Sequence, residues 1–176
     1  MKLTKLFTAV VCLTLLLACN TNYDEHLNTI SELSNSYLEL EEKVATIDPK
    51  QSRQQLKKYE STIDNFKQQL KKEEKPSKET KDFINQFRSI KKTFKKTPKK
   101  ISFLKSSIKE NTTQLKNLET DIKNNVFNEK EIIDILKQEQ ETLELLDTEF
   151  KNMTLEIKYQ LEKFDSLIIL SNNKEL

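Results

Sequence analysis

An all-α fold is what this sequence predicts, and three observations carry that expectation. The 176 residues contain no glycine. Glycine supplies the positive φ of tight turns and strand bulges, so a sheet protein would lack its usual turn residue. Lysine, glutamate, glutamine, leucine and asparagine dominate, with only three prolines, which is a composition of helix formers. Apolar residues also recur in steps of three and four along most of the chain, which holds them on one helix face. The whole chain is 35% apolar. Setting aside its apolar first 18 residues brings the rest close to the two positions in seven, roughly 29%, of a strict coiled-coil seam. The expected architecture is therefore an elongated antiparallel helical bundle, coiled-coil-like, of four to five helices, with the C-terminal one longest.

The elements follow in order. Tyr23, Leu27, Ile30, Leu33, Tyr37, Leu40, Val44 and Ile47 form the first seam. Asp48-Pro49 interrupts it, with aspartate suited to N-cap and proline to the first helical position. The pair reads as a stop and restart, or as a kink in one helix. The second seam is Leu56, Tyr59, Ile63, Phe66 and Leu70, and Pro76-Ser77 opens the next element. Phe83, Phe87, Ile90 and Phe94 lead to Thr97-Pro98, and Ile101, Leu104, Ile108, Leu115, Leu118 and Ile122 follow. Pro98 either separates two helices or kinks one. Asn124-Asn125 closes this run. Asn128 and Glu131 then stand in capping-box spacing, with Phe127 and Ile132 placed as a hydrophobic staple. The last seam has no proline: Ile132, Leu136, Leu143, Leu146, Phe150, Met153, Ile157, Leu161, Phe164 and Ile168. Some 40 residues of helix would measure about 60 Å. Such a seam needs partners, either neighbouring helices of the same chain or a second copy.

The first 18 residues belong to another kind of segment. Lys2 and Lys5 form a basic head, Leu6 to Leu17 an apolar stretch, and Leu16-Leu17-Ala18-Cys19 follows. The run is too short for a transmembrane helix, which needs about 20 apolar residues, and it has the organisation of a secretory signal. With leucine at −3, Ala18 at −1 and Cys19 at +1, it resembles the signal and lipobox of a bacterial lipoprotein. Cys12 is a poor alternative because bulky Val11 precedes it. The resemblance implies cleavage between Ala18 and Cys19 and a diacylated Cys19. On that reading residues 1–18 are removed, 19–22 are a lipidated cysteine and short tether, 23–171 are the bundle, and 172–176 fray. The single cysteine left carries lipid, so no disulfide forms. Lys2 and Lys5 leave with the leader, so the 30 basic side chains fall to 28 against 28 acids. The formal charge of +2 then says nothing about nucleic acid or any other anionic partner.

Reactive groups are few. His26 is the only histidine. Tyr23 stands where a Glu-x-x-His iron motif would need glutamate, so His26 reads as a polar residue at the outer edge of the first helix. Without glycine, phosphate-binding loops, dinucleotide fingerprints and nucleophile elbows are absent. The expectation is no enzyme, no metal and no cofactor beyond the lipid on Cys19. One asymmetry stands out. Between Phe83 and Lys109 lie Arg88, Lys91, Lys92, Lys95, Lys96, Lys99, Lys100, Lys105 and Lys109, with no acid among them. This stripe is either a solvated face balanced by the acids of residues 128–150, or a patch for anionic lipid or an anionic envelope polymer. A hairpin at 124–128 would set those acids against residues 105–125 and miss most of the lysines. Phe83, Phe87 and Phe94 fall on the seam and are not base-stacking rings.

The expected molecule is thus a lipid-anchored protein on the extracytoplasmic side of a bacterial membrane, periplasmic or surface-facing. It would act as spacer, scaffold or helix-mediated binder. Its partners would be the membrane and an envelope protein or a second copy, with no nucleic acid and no small-molecule substrate.

Overall fold

A computed structural model describes residues 20–70 and 77–173. They form helices α1 (Asn20–Ala45), α2 (Pro49–Leu70), α3 (Lys78–Lys123) and α4 (Glu129–Asn173), with no strand among the described residues. Ala18, Cys19 and the leader lie outside this description, as do Pro76, residues 174–176 and the side chains of Phe66 and Leu70. α1 starts at Asn20, so residues 20–22, expected as tether, are helical; none of the three is a helix breaker. α4 likewise continues to Asn173.

Local chemistry sets the helix ends. The N–H groups of Thr46 and Ile47 close the end of α1 on carbonyls of its last turn. Asp48 Oδ1 then accepts the Lys50 N–H at 2.8 Å, with Pro49 in the first position of α2. Asp48-Pro49 is a stop and restart. Ser77 Oγ accepts the Thr80 N–H at 3.1 Å and caps α3. At the other end of α3, Asn125 takes a left-handed conformation (φ 55). Its N–H donates to Ile122 O at 2.9 Å, and the Val126 N–H donates to Asp121 O at 3.0 Å. This is a Schellman ending with asparagine doing what glycine usually does. The capping box forms as the spacing predicts: Asn128 Oδ1 accepts the Glu131 N–H at 3.0 Å, and Glu131 Oε2 accepts the Asn128 N–H at 2.9 Å.

Pro98 lies inside α3. Of the two readings the sequence left open, the continuous helix is the one that forms. As a result α3 has 46 residues and α4 has 45 among the described residues. The physical reason is packing on both sides of the proline. Ile90, Phe94, Thr97, Ile101 and Leu104 are all buried, and breaking the helix at residue 98 would uncover one half of that face.

The chain divides into two compact units. In the first, which runs to Leu40 and includes Ser107–Leu145, segments of α1, α3 and α4 contribute the core. Ile30, Leu33, Tyr37, Leu40, Ile108, Leu115, Leu118, Ile122, Ile132 and Leu136 are buried there. His26 is buried too, which corrects its placement at the outer edge. The seam of α1 runs 26, 30, 33, 37, 40, and Leu27, expected on it, is only half-buried. Extending the 4-3-4-3 rhythm back from Ile30 by its step of four lands on His26, not Leu27.

The second unit comprises Glu41–Ser106 and Leu146–Leu176. Its centre is aromatic: Tyr59 packs on Phe94 (centroids 5.1 Å) and Phe164 (3.9 Å), and Phe87 meets Phe164 edge-on at 5.8 Å. Ile63, Ile90 and Leu167 complete the buried cluster, while Ile168, expected on the seam, is only partly buried against it. Three contacts fix direction. Phe87 meets Phe164, Thr93 Oγ1 donates to Glu156 Oε1 at 2.8 Å, and Lys100 Nζ lies 3.1 Å from Glu149 Oε1. The contacts advance along α3 as they retreat along α4, so the helices are antiparallel here.

A basic helix face as the candidate functional site

The stripe of Arg88, Lys91, Lys92, Lys95, Lys96, Lys99 and Lys100 lies on α3, and the structure sorts its members into two groups. Lys91 and Lys100 sit at the flanks, where α2 and α4 bring acids within reach. Lys91 Nζ is 2.9 Å from Glu60 Oε1, and Lys100 Nζ is 3.1 Å from Glu149 and 3.8 Å from Glu156. These two are committed to helix–helix contacts. Lys92, Lys95, Lys96 and Lys99 are exposed and make no ion pair among the described residues, and Arg88 reaches only the Asn85 amide at 3.4 Å. Lys105 and Lys109 are exposed as well.

The steps 88, 92, 95, 96, 99 are those of a single helix face, turned away from the buried Ile90, Phe94, Thr97 and Ile101. Within the same unit, the nearest α4 acids at this level go to Lys100, and Thr93 ties down Glu156. The acids at 128–145 belong to the other unit. Among the described residues, internal balance, the milder of the two readings, is met at Lys91 and Lys100 and not at the outward residues.

Sequence reasoning missed Phe103. It is 57% exposed and follows Lys99 by four residues on the same face. The signal was available, since residue 103 falls between the seam positions Ile101 and Leu104.

Three groups have ionisation shifted by their surroundings. In the first unit, the Tyr37 O–H donates to the Glu139 carbonyl at 3.3 Å. Burial, followed by the nearby Glu139 carboxylate, pushes the Tyr37 phenol well above the usual tyrosine range. Burial also raises Glu139, whose Oε2 has no hydrogen-bond partner. In the second unit, burial and then Asp165 push Tyr59 up to about 12. A groove lined by Glu60, Asp64, Lys67, Arg88 and Lys91 neutralises most of its own charge through Lys67–Asp64 and Lys91–Glu60 pairs. Among the described residues no group of three or more histidine, cysteine or acidic side chains is placed to hold a metal, and no helix is long and apolar enough to cross a membrane. Compared with known protein families, curated proteins and solved structures, the chain matches none.

Proposed function

We propose that this chain is a bacterial envelope lipoprotein, held on a membrane by diacylated Cys19, whose antiparallel, coiled-coil-like body works without catalysis as a spacer, scaffold or helix-mediated binder. The anchoring rests on Leu16-Leu17-Ala18-Cys19 behind a basic and apolar leader. The non-catalytic reading is supported by acids such as Glu131, which caps a helix, and Glu119 and Asp147, which pair with Lys123 and Lys151 on open faces. Binding through helix faces is supported by Leu155, Tyr159 and Ile169, which α4 leaves exposed. The anchor is tested by the intact mass of the purified protein. The expected product starts at Cys19 and carries acyl chains, and Cys19→Ser abolishes both processing and acylation. Crosslinking in intact cells followed by mass spectrometry tests the role. A recurrent stoichiometric partner marks a binder, self-crosslinks alone mark a spacer, and a turnover-dependent small-molecule adduct would refute the non-catalytic reading.

A second reading is favoured by the unpaired lysines of α3: direct binding of an anionic ligand, either membrane lipid or envelope polymer. Reversing Lys91, Lys92, Lys95 and Lys96 to glutamate should abolish retention by anionic ligands. Unchanged retention refutes it.

A further inference from the structure

The geometry points to a specific occupant for the outward face of α3: an anionic phospholipid surface, which the face meets with Arg88, Lys92, Lys95, Lys96 and Lys99 at headgroup level while Phe103 enters the interface. This inference rests on the second reading above, that the stripe takes an anionic ligand, and it names which one.

Three observations carry it. The first is charge. The face holds five cations along about 17 Å of helix at 1.5 Å per residue, with no acid between residues 83 and 109 of its own helix. The acids that reach α3 from neighbouring elements, Glu60, Glu149 and Glu156, are engaged by Lys91 and Lys100 at the flanks, and Asp64, which shares a groove with Arg88, pairs with Lys67. The face therefore presents positive charge that no described acid of its own unit pairs, and an anionic surface is its electrostatic complement.

The second is Phe103. A large aromatic side chain, 57% exposed, stands in line with the cations on this face. Its burial elsewhere in the unit is prevented by geometry, since Ile101 and Leu104 on either side occupy the core. Helices that lie in a membrane interface combine lysine and arginine with bulky apolar side chains such as phenylalanine. The long lysine stems let the ammonium groups stay with the phosphates while the ring goes deeper. A soluble anionic polysaccharide would satisfy the lysines equally well but would leave the ring in water. Phe103 is what separates the two.

The third is local reach. All six side chains lie on one helix within one compact unit, so the face is presented whole, and docking requires no rearrangement of the core beneath it.

The chain has no tryptophan, which makes the test direct. Phe103→Trp in the purified full chain introduces a single indole fluorophore on the proposed contact, and tryptophan is well suited to an interface. Gln54→Trp at an exposed position of α2 serves as the off-face control. Each variant is added to vesicles of phosphatidylcholine alone and of phosphatidylcholine mixed with phosphatidylglycerol. The expected result for Phe103→Trp is a shift of indole emission to shorter wavelength, with quenching by bromine-labelled lipid tails, in the anionic vesicles only. The control should not shift. The shift should be lost at high salt, where exposed charges are screened, and lost in a Lys92→Glu, Lys95→Glu, Lys96→Glu background whose helical circular dichroism is unchanged. Identical emission of the Phe103→Trp variant in the two vesicle types overturns the inference. If the chain then still binds a soluble anionic polysaccharide in a lysine-dependent way, the anionic-ligand reading stands and only its lipid identity falls. If it binds neither, both fall.

Discussion

Replacing Pro98 by alanine should stabilise the protein, because this proline sits where it costs a helix most. Residue 98 lies in the interior of α3, so the Phe94 carbonyl has no N–H opposite it and the ring crowds that carbonyl. Interior proline costs a helix about 3 kcal/mol. Alanine gives back part of this through the extra freedom of the unfolded chain, about 0.4–1 kcal/mol, which leaves a net gain of about 2 kcal/mol. For a chain of this size each kcal/mol moves Tm by roughly 2–4 °C, so the expected rise is about 4–8 °C. Thermal melting followed by helical circular dichroism measures it. Pro49→Ala is the control, since Pro49 occupies the first position of α2, where proline is favourable, and its loss should lower Tm slightly. An unchanged or lowered Tm for Pro98→Ala would refute the reasoning. It would mean that residue 98 ends one helix and begins another, as residue 49 does.

Three further outcomes are expected. Glu139→Gln should raise stability at neutral pH. Burial raises the folded-state pKa of Glu139, so the stability linked to its protonation is fully present below the ordinary glutamate value and is lost as pH rises through the raised one. The advantage of the glutamine variant should therefore shrink as melts are moved from pH 7 to pH 4, and a pH-independent difference would contradict it. Asn128→Ala removes the cap that accepts the Glu131 N–H and should cost about 1 kcal/mol, read by urea unfolding. Phe94→Ala removes a fully enclosed ring from the aromatic centre and should cost about 3–5 kcal/mol. A loss below about 1 kcal/mol would mean that the centre is loosely packed.

Most of the helical pattern could be read from side-chain spacing, because a seam is a local property. Asp48-Pro49, Asn124-Asn125 and Asn128 with Glu131 marked their boundaries correctly, since each ending is built from residues adjacent in sequence. Pro98 could not be decided that way. Whether a helix tolerates an interior proline depends on what it packs against, and Phe94, one turn before it, packs on Tyr59 of a different helix. The seam was misplaced by one residue at Leu27 and Ile168, where His26 and Leu167 are the buried ones, for a related reason. Steps of three and four leave two candidates at each turn, and only the neighbouring helix selects one. At the candidate face the lysines were visible in the sequence, but the division between Lys91 and Lys100, held by acids of α2 and α4, and the outward four was not. Pairing across helices depends on a register that spacing along one helix does not fix.

That division bears on why the face exists. Arg88 stands one turn from Lys92, Lys92 from Lys95 and Lys96, and Lys99 from both Lys95 and Lys96. Each like-charge pair at these spacings destabilises a helix by a few tenths of a kcal/mol, so together they cost α3 on the order of 1–2 kcal/mol. Elsewhere the chain does the opposite. Lys123 follows Glu119, Lys151 follows Asp147 and Glu141 follows Lys137, each four residues on, and each is paired. A face that served only to keep α3 soluble would gain from the same alternation at no loss of solubility. The face instead repels itself along the very helix that carries the interior proline, and an anionic surface would relieve that repulsion. Screening should relieve it too. Raising salt should increase the Tm of the wild type, and a variant carrying Lys92→Glu and Lys96→Glu should begin higher and respond less. A wild type destabilised by salt would show that the lysines are already neutralised within the chain, and it would remove the physical basis for a docking face.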